Sequence, residues 1–189
     1  MMNTFEEAVI FATNAHSGMF RKGDKIPYIL HPMEAAAIAG TMTDDVEIIA
    51  AALLHDTVED TQVTAEEIKA KFGNRIAFLV SSETENKRDE LPPDETWQIR
   101  KEESLEILRT TDDLGVKILW LSDKLSNMRS FYRKYQKQGD ALWQEFHQKD
   151  KDKQFWYYDT IAELLSDLKE FAAWQEYRWL INKVFSKGE

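Results

Sequence analysis

Apolar residues along this chain recur at helical spacing. Phe5, Ala8, Phe11, Ala12 and Ala15 mark an opening helix. The stretch Ala15–Pro32 breaks that rhythm with Gly18, Gly23, Pro27 and Pro32, and reads as a loop carrying Arg21, Lys22 and Lys25. Pro32 suits the first position of a helix running through Met33–Gly40, with His31 at its entrance. Asp44 and Glu47 form a capping-box-like pair opening a helix through Ile48, Ile49, Ala52 and Leu53 to about Glu59. Thr64 and Glu67 match the capping box fully, and Gly73 is a fitting stop for the short helix they open. A helix over Arg75–Ser82 follows, then the polar tract Ser82–Asp94, which reads as an exposed loop. Helical patterning returns over Glu95–Thr110 and over Gly115–Tyr135, where Ile118, Leu121, Leu125 and Met128 line one face. Tyr157, Ile161, Leu164, Leu168 and Phe171 keep the same spacing. No strand-like alternation, repeat or heptad array is present, and the predicted fold is all-α.

Composition narrows the functional classes. The chain has 189 residues, one ordinary domain's worth, with 24 Lys+Arg against 34 Asp+Glu and a formal net charge of −10. That balance argues against a nucleic-acid partner, because duplex affinity rests on neutralising phosphates with basic side chains. Without cysteine there are no disulfides, thiolate metal sites or thiol nucleophiles. The longest apolar run, Ile48–Leu54, is too short to cross a bilayer, and the opening MMNTFEEAVI has no basic leader segment. A cytoplasmic protein with no membrane association is therefore expected. Fourteen of the 22 aromatic rings fall between Phe131 and Phe185. Their spacing suits packing of terminal helices better than a stacking platform for a base.

Four histidines occur, and one of them stands in a notable setting. His55 is followed by Asp56, and then by Glu59 and Asp60. On a continuous helix His55 and Glu59 would share a face, as would Asp56 and Asp60. The group follows the apolar run IIAAALL, so this helix end emerges from a core. Buried carboxylates at such density call for a compensating charge, commonly a divalent cation. Imidazole with carboxylate suits Mn²⁺, Fe²⁺, Co²⁺, Ni²⁺ or Zn²⁺ better than Ca²⁺. A lone His-Asp pair would more simply be a solvent-facing helix end; the added Glu59 and Asp60 favour the metal. Further ligands would come from His31, at its helix entrance, and from Asp123, which shares a helical face with Asn127. Two histidines and two aspartates from three segments leave positions for water and a substrate oxygen. His16, on the first helix, reads as structural, and His147 has no ligand partner nearby in sequence.

The order His31-Pro32, His55-Asp56-Thr-Val-Glu59-Asp60-Thr61 and Asp123-Lys124-Leu125-Ser126-Asn127 resembles the HD-domain phosphohydrolases. The segments AHSGMFRKGDKIPYILHP and AALLHDTVEDT resemble, more narrowly, the hydrolase domain of the RelA/SpoT alarmone enzymes and the small single-domain alarmone hydrolases. The resemblance covers about residues 5–135, within a single hydrolase domain spanning 1–189 whose aromatic-rich terminal helices occupy 139–186. It implies an all-α fold holding Mn²⁺ through His31, His55, Asp56 and Asp123. It also implies removal of the 3′-pyrophosphate from guanosine tetra- or pentaphosphate, giving GDP or GTP.

By the same mapping Glu59 and Asp60 fall on the acidic pair that activates water and handles protons. Arg21 and Lys22 fall on the pair at the nucleotide, with Arg21 near the base, and Asn127 and Ser130 fall by the ribose or phosphate. This chain reads DKLSN and RKGDKIPY where the family often reads DRLHN and RKSGEPY, both beside the expected substrate contacts. No length remains for a synthetase domain, so a hydrolase alone is expected. The alternatives are an HD phosphohydrolase of another nucleotide or small phosphate ester, and a nucleotide-binding regulatory module without turnover.

Overall fold

The computed structural model describes residues 2–88 and 90–186. Among them the structure is helical, with one isolated antiparallel bridge between Phe20 and Pro27 and no strand. No described helix is long and apolar enough to cross a membrane. The described residues fall into two compact units, one within Met1–Thr84 and Asp113–Asp123, the other within Glu85–Asp112 and Lys124–Glu189.

The first unit is built around a helix whose second half is buried on every side. α1 (Thr4–Ala15) opens with a full capping box, in which Asn3 and Glu6 each accept the other's backbone N–H. α2 (Leu30–Ala39) and α3 (Val46–Leu54) follow. Ala50–Leu54 of α3 are almost wholly buried, and so are Ala35, Ala36 and Ala39 of α2 and Ala8 and Ala12 of α1. These small side chains let α1 and α2 lie close against α3, which explains a helix that is apolar nearly all round. α5 (Ala65–Ser81) packs on its remaining side and carries the predicted Thr64–Glu67 capping box. Gly73, at φ +89°, breaks α5 into the two helical pieces that the sequence separates at that residue.

Three local readings are corrected. The N-cap of α3 is Asp45, not Asp44: its carboxylate accepts the Glu47 N–H at 2.9 Å. Because the helix starts at Val46, Glu47 sits too early to close a capping box. α2 starts at Leu30, so Pro32 is its third residue and His31 lies inside its first turn. α3 stops at Leu54 rather than reaching Glu59, and α4 (Thr57–Asp60) is a separate single turn.

The first half of α7 (Leu114–Gln138) completes this unit. Asp113 caps it, accepting the N–H groups of Gly115 at 2.8 Å and Val116 at 3.3 Å, and also grips Arg75 of α5 through both guanidinium nitrogens. Trp120, fully buried, donates its indole N–H to the Ser82 carbonyl.

The second unit holds α6 (Pro93–Thr110), the rest of α7, α8 (Lys151–Leu164) and α9 (Ala172–Phe185), with 3₁₀ turns at Gly139–Glu145 and Ser166–Leu168. Its centre is aromatic: Phe131, Trp143, Phe146, Tyr158 and Phe185 meet ring to ring. Tyr177 donates its hydroxyl to the Tyr158 carbonyl at 3.0 Å. The rings are thus packing elements, as their spacing suggests. The polar tract before α6 is not simply exposed. Glu85 keeps only 9% of its side chain in solvent and is paired with Arg100 and Lys101 of α6.

Candidate metal centre

The break after α3 creates the site. Successive residues of an unbroken helix diverge by about 100° around its axis. At Asp56, φ −86° and ψ −6°, the chain leaves the helix and turns, so that His55 Nε2 and Asp56 Oδ2 come within 3.1 Å. Thr57 and Thr61 hold the turn, donating their hydroxyls to the carbonyls of Leu54 and Thr57. His31, in the first turn of α2, places Nε2 2.9 Å from Asp123 Oδ1 and 3.4 Å from Asp56 Oδ2. His55 Nε2 is 3.5 Å from the same Asp123 oxygen. His31, His55 and Asp123 are buried, and their ligand atoms lie within 4.8 Å of one another. Two imidazole nitrogens and two carboxylate oxygens thus face one small volume, and all four were expected there.

The donor set fits a divalent transition-metal ion. His55 Nδ1 lies 2.8 Å from the Ala52 carbonyl, which assigns the proton to Nδ1 and leaves Nε2 with a free lone pair. That Nε2 is buried and has no hydrogen-bond partner, an orphan that a cation would satisfy. The protonation balance points the same way. Burial pulls the His31 imidazole below its ordinary pKa despite the nearby Asp123. Burial opposes charge on His55 too, but Asp56 and Asp123 prevail and raise it well above the ordinary value. Asp56, although buried, is held below the usual carboxylate range by His55. The two carboxylates thus favour a positive charge among these four residues.

The remaining expected residues are placed as follows. Asp60 ends α4, and its Oδ2 accepts from the Tyr28 hydroxyl at 2.6 Å; Asp56 Oδ2 lies 2.7 Å from the same hydroxyl. Asp56 and Asp60 are thus brought together, through a residue that the sequence reading did not single out. Glu59 is half-buried on α4, but the helix break means it does not share a continuous helical face with His55. Arg21, on the loop, holds its guanidinium 5.5 Å from the centroid of the Tyr28 ring, and Lys22 is exposed. His16 is buried and packs against that tyrosine, with ring centroids 4.9 Å apart. Asn127 and Ser130 lie further along α7, both half-buried, in the second unit. His147 is exposed. A pocket of about 460 Å³ opens beside Asp60, walled by Ala15, Met19, Thr61, Val63 and Glu67.

Burial and the carboxylates of Asp56 and Asp60 push the Tyr28 phenol far above its ordinary pKa, so it stays a donor. Tyr28 carries no signal in the hydrophobic pattern. Its hint is chemical: a hydroxyl-bearing ring in a Gly-, Pro- and Lys-rich loop, three residues ahead of His31.

A sequence model of the HD domain matches residues 8–150, which include all of these first-unit residues. The chain belongs to the HD domain family. Among similar proteins, the guanosine-3′,5′-bis(diphosphate) 3′-pyrophosphohydrolase of Aquifex aeolicus is 39% identical over 127 residues. That match takes in 67% of this chain but 18% of the relative, so this HD protein spans under a fifth of it. The crystal structure of lmo0812 from Listeria monocytogenes EGD-e superposes with a TM-score of 0.72 at 34% identity, covering 83% of this chain and 99% of that one. A structure described as a metazoan ortholog of SpoT that hydrolyses ppGpp gives the same TM-score at 23% identity, covering 98% and 95% of the two chains. At that identity the likeness speaks for the HD fold alone.

Proposed function

We propose that this HD domain is an Mn²⁺-dependent 3′-pyrophosphohydrolase of (p)ppGpp, releasing pyrophosphate and leaving GDP or GTP. The observation that carries the metal is the buried, unpartnered His55 Nε2 facing Asp56 and Asp123. The substrate is supported by the name of the Aquifex aeolicus relative over the shared region.

His31, His55, Asp56 and Asp123 would hold the ion. A divalent cation there supplies a lowered water pKa and charge neutralisation beside a phosphoryl group that would otherwise repel hydroxide. Glu59 and Asp60, on the single turn that follows Asp56, orient the attacking water and accept its proton. The loop cations Arg21 and Lys22 meet the nucleotide; a guanidinium can stack on a purine or fork onto phosphate oxygens. Asn127 and Ser130 offer an amide and a hydroxyl to the ribose or phosphate. Incubating purified, Mn²⁺-loaded protein with ppGpp, pppGpp and other nucleotides, and identifying products, tests the reading. GDP plus pyrophosphate from ppGpp supports it. Turnover only of other phosphate esters replaces the substrate, and binding without turnover replaces the activity with a regulatory role.

A further inference from the structure

The Tyr28 hydroxyl stands between a metal-facing carboxylate and the carboxylate assigned to proton handling. Its oxygen is 2.7 Å from Asp56 Oδ2 and 2.6 Å from Asp60 Oδ2. One hydroxyl carries one proton, so both carboxylates compete for a single donor. The ring has little freedom to move away. The Arg21 guanidinium lies over it at 5.5 Å, His16 packs on it at 4.9 Å and 32°, and His31 meets it edge-on at 6.1 Å and 85°. His16 is 2% exposed and neither of its ring nitrogens has a hydrogen-bond partner, so it serves as a flat wall and not as a competing donor.

We propose that Tyr28 is a positioning residue that couples the metal site to the acid–base site: its hydroxyl sets the carboxylates of Asp56 and Asp60 relative to each other. With a cation held there, the Asp56 lone pairs would be engaged and the hydroxyl proton would be left to Asp60, fixing that carboxylate for its task. Partners one shell out from a metal are worth about 10–100-fold in affinity or activity when removed. The kinetic part of this inference rests on the hydrolase reading above; the metal-affinity part does not.

The test compares wild type, Tyr28→Phe, Asp60→Asn and the double variant of the full chain, stripped with a chelator. Mn²⁺ affinity is measured by calorimetry, then kcat and KM for ppGpp at saturating Mn²⁺. Tyr28→Phe keeps the ring, so melting temperature and KM should hold, the latter within about threefold, while the Mn²⁺ Kd rises about tenfold and kcat falls about 30-fold or more. Asp60→Asn should leave Kd within about threefold, and the double variant should turn over no more slowly than Asp60→Asn alone, because Tyr28 acts on rate through Asp60. A Tyr28→Phe protein with wild-type kcat overturns the proposal, as does the same slowing in both backgrounds. Loss of cooperative melting in Tyr28→Phe also overturns it, by making the hydroxyl a folding determinant. If the wild-type chain does not turn over ppGpp, the substrate reading falls alone; the Mn²⁺ arm then decides, and an unchanged Kd overturns the coupling.

Discussion

His31 Nε2 and Asp123 Oδ1 face each other at 2.9 Å from the start of α2 and the middle of α7. A cation between them would cross-link two helices that are far apart in sequence, so binding should stabilise the fold. At a free Mn²⁺ concentration about 100 times Kd, the gain is about 2.7 kcal/mol. Thermal melts with and without MnCl₂ should show the rise in wild type. Asp123→Ala should abolish it, together with activity; an undiminished rise in the variant would place the ion elsewhere.

Glu59 stands beyond the helix break, on a different element from the α3 residues that lead into the metal site. Glu59→Gln should therefore leave Mn²⁺ affinity within about threefold while lowering kcat by about 10²–10⁴-fold, the usual range for a lost general base. Calorimetry and steady-state kinetics on the same preparation separate the two effects. Unaltered turnover would remove Glu59 from the proton-transfer step.

The Arg75–Asp113 pair gives a pH dependence with a definite sign. The Arg75 guanidinium, helped by the Gly115 and Val116 N–H groups, lowers the Asp113 carboxyl from 3.8 to about 2. As acid is added the unfolded chain takes up this proton first, so the contribution is complete above about pH 4 and lost between about pH 4 and pH 2. About a third of each side chain is in solvent, and screening reduces the contribution to about 1 kcal/mol. Urea midpoints should be lower for Asp113→Asn than for wild type at pH 7, with a gap that narrows as the pH approaches 3. A gap that widens in acid would contradict the assignment.

Glu85 in the second unit is a different electrostatic case. Burial would raise its pKa, but Lys101 and Arg100 hold it below the ordinary value. Glu85→Ala leaves both cations mostly buried without their partner, and should destabilise by about 2–4 kcal/mol. For a chain of this size that is a fall of about 4–16 °C in melting temperature. An unchanged melt would make the pair a surface ornament of no energetic weight.

Where periodicity governs, the sequence was legible. The buried stripe Ile118, Leu121, Leu125 and Met128, the Thr64 cap and the Gly73 break all follow from side-chain spacing and backbone preference. That His31, His55, Asp56 and Asp123 converge was legible from donor chemistry and family resemblance. The break at His55–Asp56 was not, because IIAAALLHDTVED contains no Gly or Pro to announce it. There the hydroxyls of Thr57 and Thr61 take over the carbonyls of Leu54 and Thr57, a local hydrogen-bonding choice that propensity does not foretell. Glu85 was hidden for a similar reason. A polar tract reads as loop until the cations that pair with it, one helix away, are known. Asp45 displaced Asp44 as the cap because either aspartate satisfies the sequence rule and backbone geometry decides between them.

Asp113 starts α7 and Asp123 faces the metal site from the same helix, so the stretch between them works as a ruler. Its zero mark is pinned to α5 by Arg75, and its tick spacing is set by the backbone and not by any side chain. One residue added or removed between the two aspartates would swing Asp123 by about 100° and shift it by about 1.5 Å along the axis. Exchanging side chains along the ruler alters packing gradually; changing its length removes a ligand in a single step. Between the two aspartates a substitution is therefore a milder change than an insertion or a deletion.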